Sequence, residues 1–398
     1  MSVVSSLVRP LVALRPVRAL LAITGLAALT ACGPVAFSGV AAPRVDPTSG
    51  PVQVALLVPA GSSEQGRQVL ATSLENAARL AVSDLRGVEI DLRIYETAGD
   101  PARAAQVAQQ ASDAGAQIIL GPVFGEEANA VGAAVASRGL NVLSFSNNAA
   151  IAGGNVFILG QSFENTAQRL LDHAVAEGRG QVMIVAERTT EGEIAQAAIQ
   201  TAAARSGASI VATESYSFSQ QGIVDALPAI ASTARSSGAQ TLFFTANTAG
   251  ALPILAQLLP DNRIAHPQFQ FAGLTRWDIP AATLELRGLQ GGWFAMPDPA
   301  QTERFEDRYR NAYGSAPHPI AALAYDGIAA IGALLATGQS DALSRAALTQ
   351  GSGFVGVNGV FRFRPDGSVQ RGLAVATIRD NAVVILDPAP RSFAGPGS

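Results

Sequence analysis

Residues 52–65 read VQVALLVPAGSSEQ, an apolar run that stops at Pro59 and gives way to a loop of small residues. The run Val52–Val58 is short enough for a buried strand rather than a helix. Ser62 and Gln65 stand at capping-box spacing and open a helical pattern reaching about Leu85. Working outward, 88–95 alternates as a strand, Asp100 caps and Pro101 starts a helix to about Ala114, and 117–120 is again strand-like. A helical pattern over 125–138 and a strand over 140–145 follow. Strands and helices alternating at this length predict a parallel sheet covered by helices on both faces.

The pattern restarts after a strand at 156–159. Helices are expected at 163–177, 191–205, 222–236 and 248–259, with strands at 181–186, 209–216, 241–245 and 268–272. Helical patterns then cover 301–313 and 319–335, before strands at 359–363, 373–379 and 383–386. Pro365, Asp366 and Gly367 mark a hairpin turn between the first two of these. The fold class is therefore α/β, with two Rossmann-like lobes. The expected division is 51–160 plus 297–350 for the N-terminal lobe, 161–296 plus 351–387 for the C-terminal lobe, and a frayed tail at 388–398.

The chain opens with Arg9, Arg15 and Arg18 and no acidic residue before Asp46, then an apolar run over 19–31 ending in Leu29-Thr30-Ala31-Cys32. That order is a secretory signal. The run is shorter than the roughly 20 apolar residues a bilayer core requires. Cys32 is the only cysteine, and at this point the sequence resembles that of bacterial lipoproteins. Cleavage after residue 31 would leave Cys32 to carry acyl chains, followed by a flexible Pro/Gly/Ala/Ser tether over 32–50. Gly33 after Cys32 resembles the signal for outer-membrane delivery.

Apolar residues make up 48% and charged residues 15%, which suits a folded body with a sizeable core. A net charge of −4, without basic clusters interleaved with aromatics, argues against nucleic acid as a partner. All 27 basic residues are arginine. The absence of lysine excludes Walker-type phosphate loops, Schiff-base chemistry and Ser/Lys acyl transfer. Gly351, Gly353 and Gly356 follow a dinucleotide-type pattern, but strands follow them where the motif needs a helix. His173, His266 and His318 lack metal-ligand spacing, no Gly-x-Ser-x-Gly elbow occurs, and Glu126 and Glu127 suit a helix start. No cofactor, metal or catalytic residue is expected, and the chain reads as a non-enzyme.

What remains is a set of loops at the carboxyl ends of first-lobe strands, where open α/β sheets bind ligands. They are 59–63 with Ser62 and Ser63, 121–125 with Phe124 and Gly125, and 144–149 with Ser146, Asn147 and Asn148. The order of Val54 to Pro59, Gly121-Pro122, Leu143 to Asn148, Ala324-Tyr325-Asp326 and Gly359 to Gly367 resembles the type I periplasmic binding fold in its leucine-binding branch. The resemblance runs from about Val52 to Leu386. It implies two lobes joined by a three-strand hinge around a cleft, with Tyr325 in a first-lobe helix. It also implies hydroxyls and backbone amides for a ligand carboxylate and a second-lobe acid for its ammonium. Thr190, Thr275, Trp277 and Asp278 are the corresponding second-lobe candidates. The chain departs from this pattern in reading Val123-Phe124-Gly125 without a hydroxyl, and in lacking an aromatic near Thr190.

Other stretches are similar to lipoproteins known as penicillin-binding protein activators: Arg276-Trp277-Asp278, Gly291-Gly292-Trp293-Phe294, Tyr309 to Pro317 and Phe361 to Gly367. That resemblance implies a lipid-anchored protein of the outer membrane, facing the periplasm, that stimulates a peptidoglycan synthase. Two functions are thus expected in order: activator of a penicillin-binding protein, or receptor passing an amino acid or related small ligand to an ABC permease.

Overall fold

The computed structural model describes residues 42–45 and 50–393. The signal over 1–31, Cys32, most of the 32–50 tether and the end of the 388–398 tail lie outside them. Among the described residues no helix is long and apolar enough to cross a membrane.

The opening run forms β1 (Val52–Val58), buried along its whole length. A strand covered by helices on both faces needs apolar side chains in both directions, which this run supplies. It is the second strand of a five-stranded parallel sheet, between β2 (Ile90–Glu96) and β3 (Ile118–Leu120), and the sheet continues through β4 (Val142–Ser144) to β5 (Val156–Ile158). Helices α1 (Gln65–Asp84), α2 (Pro101–Asp113) and α3 (Gly125–Val135) make the crossovers. Asp100 caps α2 as the sequence predicts, accepting the Arg103 N–H at 2.7 Å. The expected capping box at α1 does not form. Glu64 is its N-cap residue, and the Ser62 hydroxyl oxygen instead accepts the Glu64 N–H at 3.2 Å within the preceding loop.

The second lobe repeats the arrangement. Strands β6 (Gln181–Glu187), β7 (Ser209–Tyr216), β8 (Thr241–Phe244), β9 (Gln270–Gly273) and β10 (Trp293–Met296) lie parallel in the order β7-β6-β8-β9-β10. They are covered by α4 (Phe163–Ala176) and α5 (Thr190–Ser206) on one face, and by α6 (Gln220–Ser236) and α7 (Leu252–Asp261) on the other. The chain then returns to the first lobe with α8 (Pro299–Tyr313), α9 (Ala322–Leu335) and the short α10 (Arg345–Leu348).

The last segment differs from the sequence reading. Strands β11 (Phe354–Gly356), β12 (Gly359–Phe363) and β13 (Val369–Arg371) form a separate antiparallel sheet. The turn at Pro365-Asp366-Gly367 forms, but it joins β12 to β13. The expected partner of β12, now β14 (Ala374–Arg379), pairs instead with β10 and with β15 (Ala382–Asp387). Phe354, Phe361 and Phe363 pack together and onto Phe157 of β5, with centroids 5.5–6.1 Å apart. That aromatic cluster holds 354–371 in the first core, so the last passage between lobes follows Arg371, not residue 350 as the sequence division had it.

The lobes are therefore linked three times: after β5, after β10 and after β13. The first and third links meet at one buried ion pair. Asp326 of α9 is fully buried and takes the Arg371 guanidinium at 2.8 Å and the Val357 N–H at 2.8 Å. Burial raises the Asp326 pKa, and Arg371 opposes the rise. Arg371 also donates through Nε to the Leu159 carbonyl at 2.8 Å, and its backbone exchanges hydrogen bonds with the Asn165 side chain of α4. Gly356 makes room for the pair, since a Cβ there would run into the Asp326 carboxylate. Removing one member of a buried pair leaves the other unpaired, at about 3–5 kcal/mol. Asp326→Ala is accordingly expected to lose stability of about that size in urea denaturation, and Asp326→Leu combined with Arg371→Met to lose much less.

Candidate functional site

Both parallel sheets reverse their winding direction inside the sheet, between β1 and β3 in the first lobe and between β6 and β8 in the second. Ligands of open α/β sheets bind outside the carboxyl ends of the strands at such points. The Leu159–Ser162 link leaves β5 at its carboxyl end and enters α4 at its amino end. The other end of α4 lies at the amino end of β10, where His173 meets Trp293. The link therefore joins the carboxyl edges of the two sheets, and the candidate cleft lies between those edges.

On the first-lobe side the loops are folded by their own polar side chains. Gly121 has φ +87°, and a Cβ there would collide with the Leu57 carbonyl oxygen, so the loop after β3 requires glycine. The Pro122 carbonyl accepts the Ser144 hydroxyl and the Phe145 N–H, both at 2.9 Å. Ser144 Oγ accepts the Ser146 N–H at 3.1 Å, Ser146 Oγ the Asn148 N–H at 3.2 Å, and Asn148 Oδ1 the Ala150 N–H at 3.0 Å. From Ser144 onward the ladder draws on side-chain acceptors only. The Ser146 hydroxyl proton and the Asn148 amide Nδ2 find no acceptor among the described residues. They converge: a Cβ built on Gly125 would lie 3.5 Å from Asn148 Nδ2 and 3.7 Å from Ser146 Oγ. Gly125 opens α3, where the first N–H groups lack helical partners. Gly125, Ser146 and Asn148 thus form a cradle of hydrogen-bond donors suited to an oxyanion.

The remaining first-lobe candidates divide. Phe124 is half exposed, with the Arg67 guanidinium 5.1 Å above its ring. Arg67 also pairs with Glu64 at 3.0 Å and donates to the Ala98 carbonyl at 3.2 Å. Ser63 and Asn147 are exposed, and Ser62 Oγ accepts the Glu64 N–H as Ser146 Oγ accepts that of Asn148, its own proton also finding no acceptor among the described residues. Tyr325 is not in the cleft. Its hydroxyl donates to Asp84 at the far end of α1, where Arg308 also pairs with Asp84 at 2.6 Å.

In the second lobe, Trp277 is fully buried against Phe294, centroids 6.2 Å apart. A Cβ at Gly273 or Gly292 would run into its ring, so these glycines exist to seat a core tryptophan rather than a ligand contact. Asp278 is engaged twice by Arg276, Nε to Oδ1 at 2.9 Å and Nη2 to Oδ2, so its charge is already met. Thr275 Oγ1 is buried without a partner. Thr190 is exposed at the start of α5, where Thr189 caps the helix by accepting the Gly192 N–H at 3.0 Å.

Two acids stand on these edges in roles that the sequence does not announce. Glu187 ends β6, beside the second-lobe reversal point, and accepts the Thr189 hydroxyl at 3.2 Å and the Tyr216 hydroxyl at 3.3 Å. It forms no ion pair with any described residue. Burial, then Glu187, pushes the Tyr216 phenol far up, so it stays protonated and donating. The signal that marks Glu187 is its position at a reversal point, which emerges only once the strand order is known. Glu127 serves the helix start as the sequence predicts, its Oε2 accepting the Phe124 N–H at 3.4 Å, and it is also 1% exposed with no partner for Oε1 among the described residues. Among the described residues no group of three or more His, Cys, Asp or Glu is placed to hold a metal.

The chain belongs to the periplasmic binding protein family, whose model matches residues 51–382. Among curated proteins none matches the sequence. Several solved structures share the fold. A putative branched-chain amino acid ABC transporter protein from Rhodospirillum rubrum is 16% identical with a TM-score of 0.72, covering 85% of this chain and 100% of that one. A branched-chain amino acid ABC transporter periplasmic ligand-binding protein from Burkholderia xenovorans is 17% identical with a TM-score of 0.64, covering 87% and 97%. An ABC transporter substrate-binding protein from Desulfitobacterium hafniense, in complex with Leu, is 18% identical with a TM-score of 0.61, covering 85% and 100%.

Burial raises the Glu127 pKa, against the hydrogen bond from the Phe124 N–H. A carboxyl whose folded pKa lies above its unfolded value favours the folded state most below the unfolded pKa, and that contribution is lost as pH rises through the folded pKa. Glu127→Gln is therefore expected to gain stability relative to the parent as pH rises above the ordinary Glu value of about 4.3. Denaturant midpoints measured across that range check the sign.

Proposed function

We propose that this protein is the solute receptor of an ABC importer, binding a small amino acid or a closely related carboxylate between its lobes. The observation that carries the reading is the convergence of unused donors at Gly125, Ser146 and Asn148 on the first-lobe carboxyl edge. The ligand carboxylate takes those donors. Its ammonium takes Glu187, a second-lobe acid that forms no ion pair with any described residue and stands at the reversal point, in place of Asp278, which Arg276 neutralises. Hinge closure around the ligand is the signal to the permease. Family membership and the amino-acid transport roles of the structural neighbours support this reading. We further propose that Cys32 carries the lipid that tethers the receptor in the periplasm.

A thermal-shift and calorimetric screen of L-leucine, L-valine and the other amino acids tests the reading, and one or more is expected to bind saturably. Hydrogen bonds to a charged group contribute about 1.5–3 kcal/mol each, so Ser146→Ala with Asn148→Ala is expected to weaken binding at least about tenfold. Glu187→Gln is expected to weaken binding of the amino acid while leaving that of its des-amino carboxylate unchanged. No response to any amino acid, together with recovery of a penicillin-binding protein from periplasmic extract by the full-length chain, would refute the proposal.

A further inference from the structure

A second concave region lies at the opposite end of the second lobe. It is a trough of about 1290 Å³ beneath the amino ends of β6, β9 and β10, away from the carboxyl edges that face the cleft. Arg179 stands just before β6, His266 and Gln270 at the start of β9, and Arg379 at the end of the antiparallel β14. These elements bring two guanidinium groups to one imidazole. His266 is held below its usual pKa by burial first and then by Arg179, with Arg379 adding to the effect. Arg379 has no ion pair with any described residue, and Arg179 makes a side-chain hydrogen bond only to the Pro267 carbonyl, at 3.2 Å.

Beside this positive cluster the trough has an apolar wall with one unanswered polar atom. Trp293 packs edge-on against His173 at 4.8 Å, and Thr377 lies directly across from Trp293 in the β10–β14 pair. Thr377 is 2% exposed and its Oγ1 has no hydrogen-bond partner. Arg287 lines the trough too, as do Glu177, Asp261, Glu285 and Asp380, so an anion is held by the local arginine pair and not by the charge of the trough as a whole.

We propose that this trough is a second ligand site, separate from the interlobe cleft, for a small organic oxyanion whose charged group sits between Arg179 and Arg379 and whose body lies toward Trp293 and Thr377. Benzoate and, separately, inorganic phosphate serve as probes, with tryptophan fluorescence and calorimetry on the full chain as readouts. Benzoate is expected to saturate below about 10 mM, and to bind more tightly than phosphate. Arg179→Ala with Arg379→Ala is expected to weaken it at least tenfold, while Ser146→Ala with Asn148→Ala leaves it unchanged. Failure of benzoate to saturate, tighter binding of phosphate, indifference to the arginine substitutions, or loss with the Ser146 and Asn148 substitutions would each overturn the proposal.

Discussion

The two-lobed arrangement depends on the buried pair of Asp326 and Arg371. Asp326 sits in a first-lobe helix and Arg371 on the last strand before the chain passes to the second lobe. The same guanidinium holds Leu159 in the first link, and the Arg371 backbone holds Asn165 at the head of α4. A charge removed from water needs a fixed counter-charge and filled hydrogen-bonding positions. Here the Leu159 carbonyl takes Nε and Asp326 takes Nη1, while Nη2 has no partner among the described residues. The pair therefore fixes where the lobes join, and Gly356, which leaves space for the carboxylate, is part of the same device.

That junction places the cleft chemistry. Because the linking segments run between carboxyl edges, loops with no contact in sequence form the wall of one site. The ladder of bonds from Pro122 through Ser144, Ser146 and Asn148 to Ala150 uses each acceptor for the loop and leaves donors over. A surplus of donors beside a helix start is a binding property in itself, since an oxyanion satisfies all of them together. The second lobe contributes an acid held by two hydroxyls rather than by a cation, and so leaves a net negative charge for a ligand to meet. Arg276 and Asp278 show the opposite case: two charges close in sequence satisfy one another.

Much of the element pattern was legible in the chain. The largely apolar 52–58, the Asp100-Pro101 helix start and the restart after residue 156 set out parallel, helix-covered sheets, and Gly125, Ser146 and Asn148 were recognisable as loop residues at strand ends. The misses share a cause. Trp277 and Tyr325 were placed by motif order, but burial and a partner distant in sequence decide their roles: Trp277 fills the space left by Gly273 and Gly292, and Tyr325 joins Asp84. Glu187 escaped notice, and Glu127 was assigned only to a helix start, because the pairing state of a carboxylate depends on neighbours that sequence spacing does not reveal.

By itself the sequence determined the alternation of strand and helix, the exclusion of lysine chemistry and the local turns, because each rests on composition or on residues close together in the chain. Only the tertiary structure decided that 354–371 stays with the first core, that Asp278 is neutralised while Glu187 is not, and that the Arg179 and Arg379 side chains share a trough with a buried, unpaired threonine. Local geometry follows from short-range sterics and hydrogen bonding, whereas the electrostatic state of a side chain is set by whatever the fold brings within a few ångströms of it.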